Sequence, residues 1–196
     1  LVLSVGFHEF SHVLSAYLQG DHTGKDLGRL TLNPIRHLEL RGTMLMLLAA
    51  LTNFGFGWGK PAPYNPYNLR YRHWGPTLVA LAGPISNIML MTLAGYVLLV
   101  FSDSMLSGNL LGVFLISFVW VNGSLAVVNL IPIHPLDGSH LLSASLGSQH
   151  PLVITLERYG FFILLALVFI GGPVLSWYVG GGLKILLHLV GLGSLI

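Results

Sequence analysis

The chain has 196 residues, of which 54% are hydrophobic and only 8% charged, which leaves too little polar surface for a water-soluble globule. It implies an all-α membrane protein, with room for one helical bundle of about five or six membrane segments at roughly 20 apolar residues each. A formal charge of +2 resting on few groups gives no argument for nucleic acid as a partner, and the lack of cysteine excludes disulfides and thiolate metal ligands.

The first predicted helix covers residues 1–19, with Gly20 as its C-cap, and carries His8-Glu9-Phe10-Ser11-His12. Histidines four apart share one helix face, which is zinc-ligand spacing. Glu9 can reach a water on that face without binding the metal itself, as HExxH chemistry requires. The same pattern arises by chance on solvated helices. Here the flanks Leu1-Val2-Leu3 and Val13-Leu14 would bury three ionisable groups at membrane depth, which marks a functional site.

Residues 21–41 form a polar stretch in which 28–33 alternate like a short strand, or simply form a loop, until Pro34 stops them. Residues 42–59 are apolar but short for a crossing, and end with Phe54, Phe56 and Trp58 alternating with Gly55, Gly57 and Gly59. Seven of the nine Lys and Arg residues flank this segment: Lys25, Arg29, Arg36 and Arg41 before it, Lys60, Arg70 and Arg72 after. Both flanks therefore prefer the cytoplasm, and the segment is expected to be a small re-entrant or β-like element rather than a spanning helix.

A helix over 76–101 follows, with Pro84 as a possible kink and Asn87 as a lone amide suited to an interhelical hydrogen bond. A short acidic loop leads into a helix over 109–131, which Pro132 and Pro135 break. Asp137 then either caps a short helix over 139–146 or serves as a ligand at a break in an apolar region. Residues 157–178 and 180–196 supply two further apolar segments separated by Gly180-Gly181-Gly182, with Glu157 and Arg158 as an interfacial pair. No repeat or linker divides the chain, so residues 1–196 read as a single domain, whose apolar ends leave room for truncated termini. If residues 42–59 do not cross, Asp137 emerges on the same side as His8 and His12; a crossing would put it opposite.

Three ordered motifs, HEFSH at 8–12, GPISN at 83–87 and NLIPIHPLDG at 129–138, resemble the site-2 protease family of intramembrane zinc metalloproteases. The GRLTLNP and FGFGWGKP runs resemble its short bacterial branch. That resemblance implies one zinc ion (Zn2+) on His8, His12 and Asp137, Glu9 as general base, Asn129 stabilising the oxyanion or substrate, and Asn87 lining the site. It also implies a membrane-protein substrate whose helix can unwind, and a bacterial cytoplasmic membrane with the active site toward the cytoplasmic side. His134 departs from the family pattern, in which proline is frequent, and suits either a structural role or a spare ligand. A membrane metal transporter or a non-catalytic metal-binding scaffold would use the same histidines, but gives Glu9 no task and lacks a charged path through the later helices.

Overall fold

The computed structural model describes residues 1–39, 42, 44, 59–101 and 109–195. Among these residues the chain is helical, with α1 (Val2–Leu18), α2 (Thr23–Asp26), α3 (Gly75–Val100), α4 (Leu110–Asn129), α5 (Gly138–Leu146), α6 (Pro151–Phe169) and α7 (Gly172–Leu189). Short 3-10 turns occupy Pro34–His37, Pro66–Asn68 and Gly193–Leu195, and one isolated antiparallel bridge pairs Leu38 with Gly59. Helices α3, α4 and α6 are long and apolar enough to cross a bilayer. At 1.5 Å per residue α3 extends about 39 Å, more than the hydrocarbon core needs.

Helix α3 is the centre of the bundle, packing against α1, α4 and α5. Its inward stripe, Met91, Ala94 and Leu98, joins Val119 of α4, Leu183 and Leu187 of α7, and Leu192 in the main apolar core. Its opposite face leaves Leu78, Ile85, Met89, Leu93 and Val100 exposed, as a helix surrounded by lipid should. Lipid is as apolar as leucine, so close fit rather than hydrophobicity must hold such helices together. Gly123 provides it on α4, where an added methyl would run into Leu183 and Met91.

The end of α1 is fixed by Gly20 at φ +99°, a left-handed position that glycine fills without strain. Just beyond it, the Gln19 carbonyl accepts from the Arg70 amide at 2.9 Å, and Gln19 Nε2 donates to the Gly75 carbonyl at 3.4 Å. Buried Asp21 accepts from Thr23, Asn65 and Asn68, tying the exit of α1 to the approach to α3. The chain thus enters α3 at the end where it left α1.

Two sequence expectations change here. Residues 28–33 are a turn and bends rather than a strand, because Gly28 sits at φ +68° and Arg29 turns inward to donate to the Lys60 carbonyl at 2.7 Å. The last two helices are displaced from their expected bounds. His150 caps α6 by accepting from the Leu152 amide, and Pro173 opens α7 after the break at Ile170-Gly171, while Gly180, Gly181 and Gly182 lie inside α7. Gly182 is used for packing, since a methyl there would come within 2.7 Å of Val127. The expected re-entrant element at 42–59 lies outside the described residues except at 42, 44 and 59.

Candidate metal centre

One face of α1 and the break between α4 and α5 meet beside α3. His8, His12 and Asp137 bring ligand atoms within 4.8 Å of one another. His8 Nε2 and His12 Nε2 are 3.0 Å apart, and Asp137 places Oδ2 3.1 Å from the first and Oδ1 3.4 Å from the second. The histidines stand four positions apart on α1, which accounts for their shared face. Asp137 stands at the N-cap position of α5, yet its side chain makes no capping bond. Its carboxylate turns instead to the histidines. Gly138 permits the fold-back, since a methyl there would overlap the Leu130 and Ile131 carbonyls.

The outer nitrogens of both rings are engaged. His12 Nδ1 lies 2.7 Å from the Val79 carbonyl, which can only accept, so Nδ1 carries the proton and Nε2 presents a lone pair. His8 Nδ1 lies 2.7 Å from Asn87 Oδ1 and is set in the same tautomer. Two imidazole lone pairs and a carboxylate therefore converge, and Asp137 Oδ2 is buried with no hydrogen-bond donor among the described residues. Three acceptors facing one another repel, and a cation relieves that repulsion. The donor set, two nitrogens and one carboxylate oxygen, suits zinc and leaves a fourth position free. The residues present fit the metal.

Gly83 of α3 makes this approach possible. A methyl on it would lie 2.5 Å from His12 Nε2 and 2.5 Å from His8 Cε1. Within GPISN, the glycine thus contributes space and the asparagine contributes orientation. Glu9 is buried beside His8, and its Oε2 has no hydrogen-bond partner among the described residues. Gly59 faces it closely enough that a methyl there would sit 3.1 Å from Glu9 Oε1.

The loop carrying Gly59 is held by residues that the sequence pattern did not mark. Lys60 donates its amide to the His37 carbonyl at 2.8 Å, while Arg29 Nη2 bonds the Lys60 carbonyl. His37, fully buried, donates Nε2–H to the Thr31 carbonyl at 2.8 Å. Burial pushes the His37 imidazole below its ordinary value, against the Thr31 bond and with help from the Arg29 charge. Burial likewise lowers the Arg29 guanidinium, and the Glu9 charge opposes that.

The remaining expected site residues are placed as follows. Asn87 is fully buried behind His8, in contact with that ring and with Asn122 of α4 at 2.8 Å. Asn129 donates its amide to the Leu125 carbonyl of its own helix at 3.0 Å. His134 is exposed and lines a small recess with Pro132, Ser139 and Glu157; its carbonyl side packs against Gly160 of α6. A larger cavity of about 410 Å³ lies between the start of α3 and α5, lined in part by Arg72, His73, Thr77, His140 and Ser143. Asn122, Gly83, Arg29 and His37 were not singled out as site residues in the sequence; a buried amide seven residues before the NLIP motif was the one available signal for Asn122.

The model of peptidase family M50 matches residues 91–171. "Putative zinc metalloprotease YwhC" of Bacillus subtilis is 36% identical over 173 residues, covering 85% of this chain and 77% of that protein. "Putative zinc metalloprotease Rip2" of Mycolicibacterium smegmatis is 31% identical over 85% of this chain and 64% of its own length. The protein of that name from Mycobacterium tuberculosis is 28% identical over 91% of this chain and 68% of its own. No solved structure matches the chain. Relatives named as zinc metalloproteases across most of the sequence, together with the convergent ligand group and three apolar helices, lead to one assignment: the chain belongs to peptidase family M50, the membrane metalloproteases of the site-2 type.

Proposed function

We propose that the protein hydrolyses peptide bonds in or near the transmembrane segments of membrane proteins, with His8, His12 and Asp137 holding one zinc ion and Glu9 as general base. The observation that carries this reading is the convergence of three acceptors beside buried Glu9, whose Oε2 has no hydrogen-bond partner among the described residues. When bound there, zinc supplies a Lewis acid that lowers the pKa of water to about 7 and polarises a carbonyl. Glu9 Oε2 takes the proton from the attacking water and returns it to the leaving amine. The Nδ1 bonds to Asn87 and Val79 hold both rings still while this happens.

Under the same reading α1 and α7 join the three long apolar helices as membrane segments, and residues 42–59 dip in without crossing. The return of the chain to α3 at the exit of α1 supports this, as does the basic charge on both flanks. That end faces the cytoplasm of a bacterial cell, and the centre lies toward it. A substrate helix hides its peptide bonds in its own hydrogen bonds, so it must unwind first. The segment that ends at Gly59, the residue that faces Glu9, receives the unwound strand, with Asn129 as a further contact once substrate is present. Prolines placed along 54–59 should reduce cleavage and leave zinc in place; unchanged cleavage would remove that substrate-binding role.

The direct test is cleavage of a membrane-helix substrate in reconstituted vesicles by wild type, by Glu9→Gln and after chelation. Glu9→Gln should lose roughly 10²–10⁴-fold in rate while keeping its metal, and chelation should stop cleavage. Equal product from Glu9→Gln would remove the protease reading.

A further inference from the structure

We infer that Asn122 is a positioning residue for the metal centre, acting through Asn87 to fix the tautomer of His8; the inference rests on the metalloprotease reading only for its consequence, not for its geometry. Three helices contribute to one line of hydrogen bonds. Asn122 on α4 donates Nδ2 to the Phe118 carbonyl at 2.8 Å. That carbonyl can only accept, so Asn122 must turn Oδ1 outward. Asn87 on α3 donates Nδ2 to this Oδ1 at 2.8 Å, and the Ser4 carbonyl lies 3.4 Å from the same nitrogen. Both neighbours of Nδ2 are acceptors, so Asn87 in turn must present Oδ1 to His8 Nδ1 at 2.7 Å. His8 Nδ1 then keeps its proton and Nε2 is left as a lone pair toward His12 and Asp137.

The direction of every bond is thus set by a backbone carbonyl one helix removed from the site. Asn87 and Asn122 are both fully buried, so water cannot substitute for either partner. Without the acceptor on Asn122, the Asn87 amide loses its strongest reason to stand one way round. Turned over, it would aim Nδ2 at His8, favour the proton on Nε2 and place that proton where a cation needs the lone pair. Asn122 touches neither substrate nor metal in this account.

The test uses the full metal-free chain in micelles with ¹⁵N-labelled histidine, at a pH where the His8 ring is neutral, with its signals assigned by their loss in His8→Gln. Wild type should carry the His8 proton on Nδ1. Asn122→Leu, which keeps size and removes the acceptor, should show a mixture of tautomers and bind zinc roughly 10-fold more weakly in chelator competition. The double variant Asn122→Leu/Asn87→Asp should restore the Nδ1–H form, because both carboxylate oxygens accept and no orientation has to be set. Wild-type ring signals in folded Asn122→Leu would overturn the inference. So would a proton on Nε2 in wild type, whether or not any variant folds. A wild type with Nδ1–H intact that neither binds zinc nor cleaves would instead remove the metalloprotease reading and leave the relay standing.

Discussion

The position of one proton on each imidazole decides what the opposite nitrogen can do, and at His8 and His12 acceptor atoms behind the rings make that decision. Space is the other residue-scale constraint. Gly83→Ala would place a methyl against both rings. Overpacking of this kind costs about 1–3 kcal/mol. The variant should therefore melt earlier in micelles and bind zinc more weakly, as a thermal shift with and without added zinc would reveal; an unchanged melt and affinity would mean that α1 and α3 separate freely. The shared face of His8 and His12 was legible in the sequence because their spacing is local and helical. Asp137 was legible only as one of two alternatives, since a cap and a ligand look alike until the carboxylate's direction is known. Asn122 was not legible as a site residue, because its role depends on Asn87, 35 positions away, and an amide in an apolar helix has no signature of its own.

At the scale of elements, the junction between α1 and α3 rests on Asp21. Burial pushes its carboxyl up, but bonds from Thr23, Asn68 and the Asn65 amide outweigh that and hold it below the usual carboxylate range. A carboxylate lowered in the folded state adds stability above its unfolded pKa near 3.9, and that stability is lost as pH falls through the lower folded value. Proteolysis at the 21–70 junction should therefore increase on acidification below about pH 4. Asp21→Ala should cost about 1–3 kcal/mol at neutral pH through the donors it strands. Its unfolding curve should also lose the acid-dependent component; a variant that keeps it would assign that component to another group. Helix existence was legible from apolar runs, whereas helix ends were less so. The triple glycine at 180–182 reads as a break, yet it lies inside α7, where Gly182 packs closely against Val127, while the break falls at Ile170-Gly171 before Pro173. The alternation at 28–33 failed as a strand because Arg29 is drawn inward by the Lys60 carbonyl, which no local pattern shows.

For the whole molecule, the fold gathers two distant motifs by starting α3 at the end where α1 stops. The bundle then delivers Asp137 to the histidines after two further long helices. Charge on the loops and ligand geometry in the core, two unrelated constraints, favour the same path. Cysteines introduced at Lys25 and at Arg72 should accordingly react with an impermeant thiol reagent from the same side of sealed vesicles. Labelling from opposite sides would break the proposed topology. The metal content of the purified chain tests the central claim most directly. Wild type should hold about one zinc per chain, the Glu9→Gln variant should retain it, and Asp137→Asn and His12→Gln should each lose most of it. Full zinc occupancy in folded Asp137→Asn would contradict the account, because the break between α4 and α5 would then have no part in the metal centre.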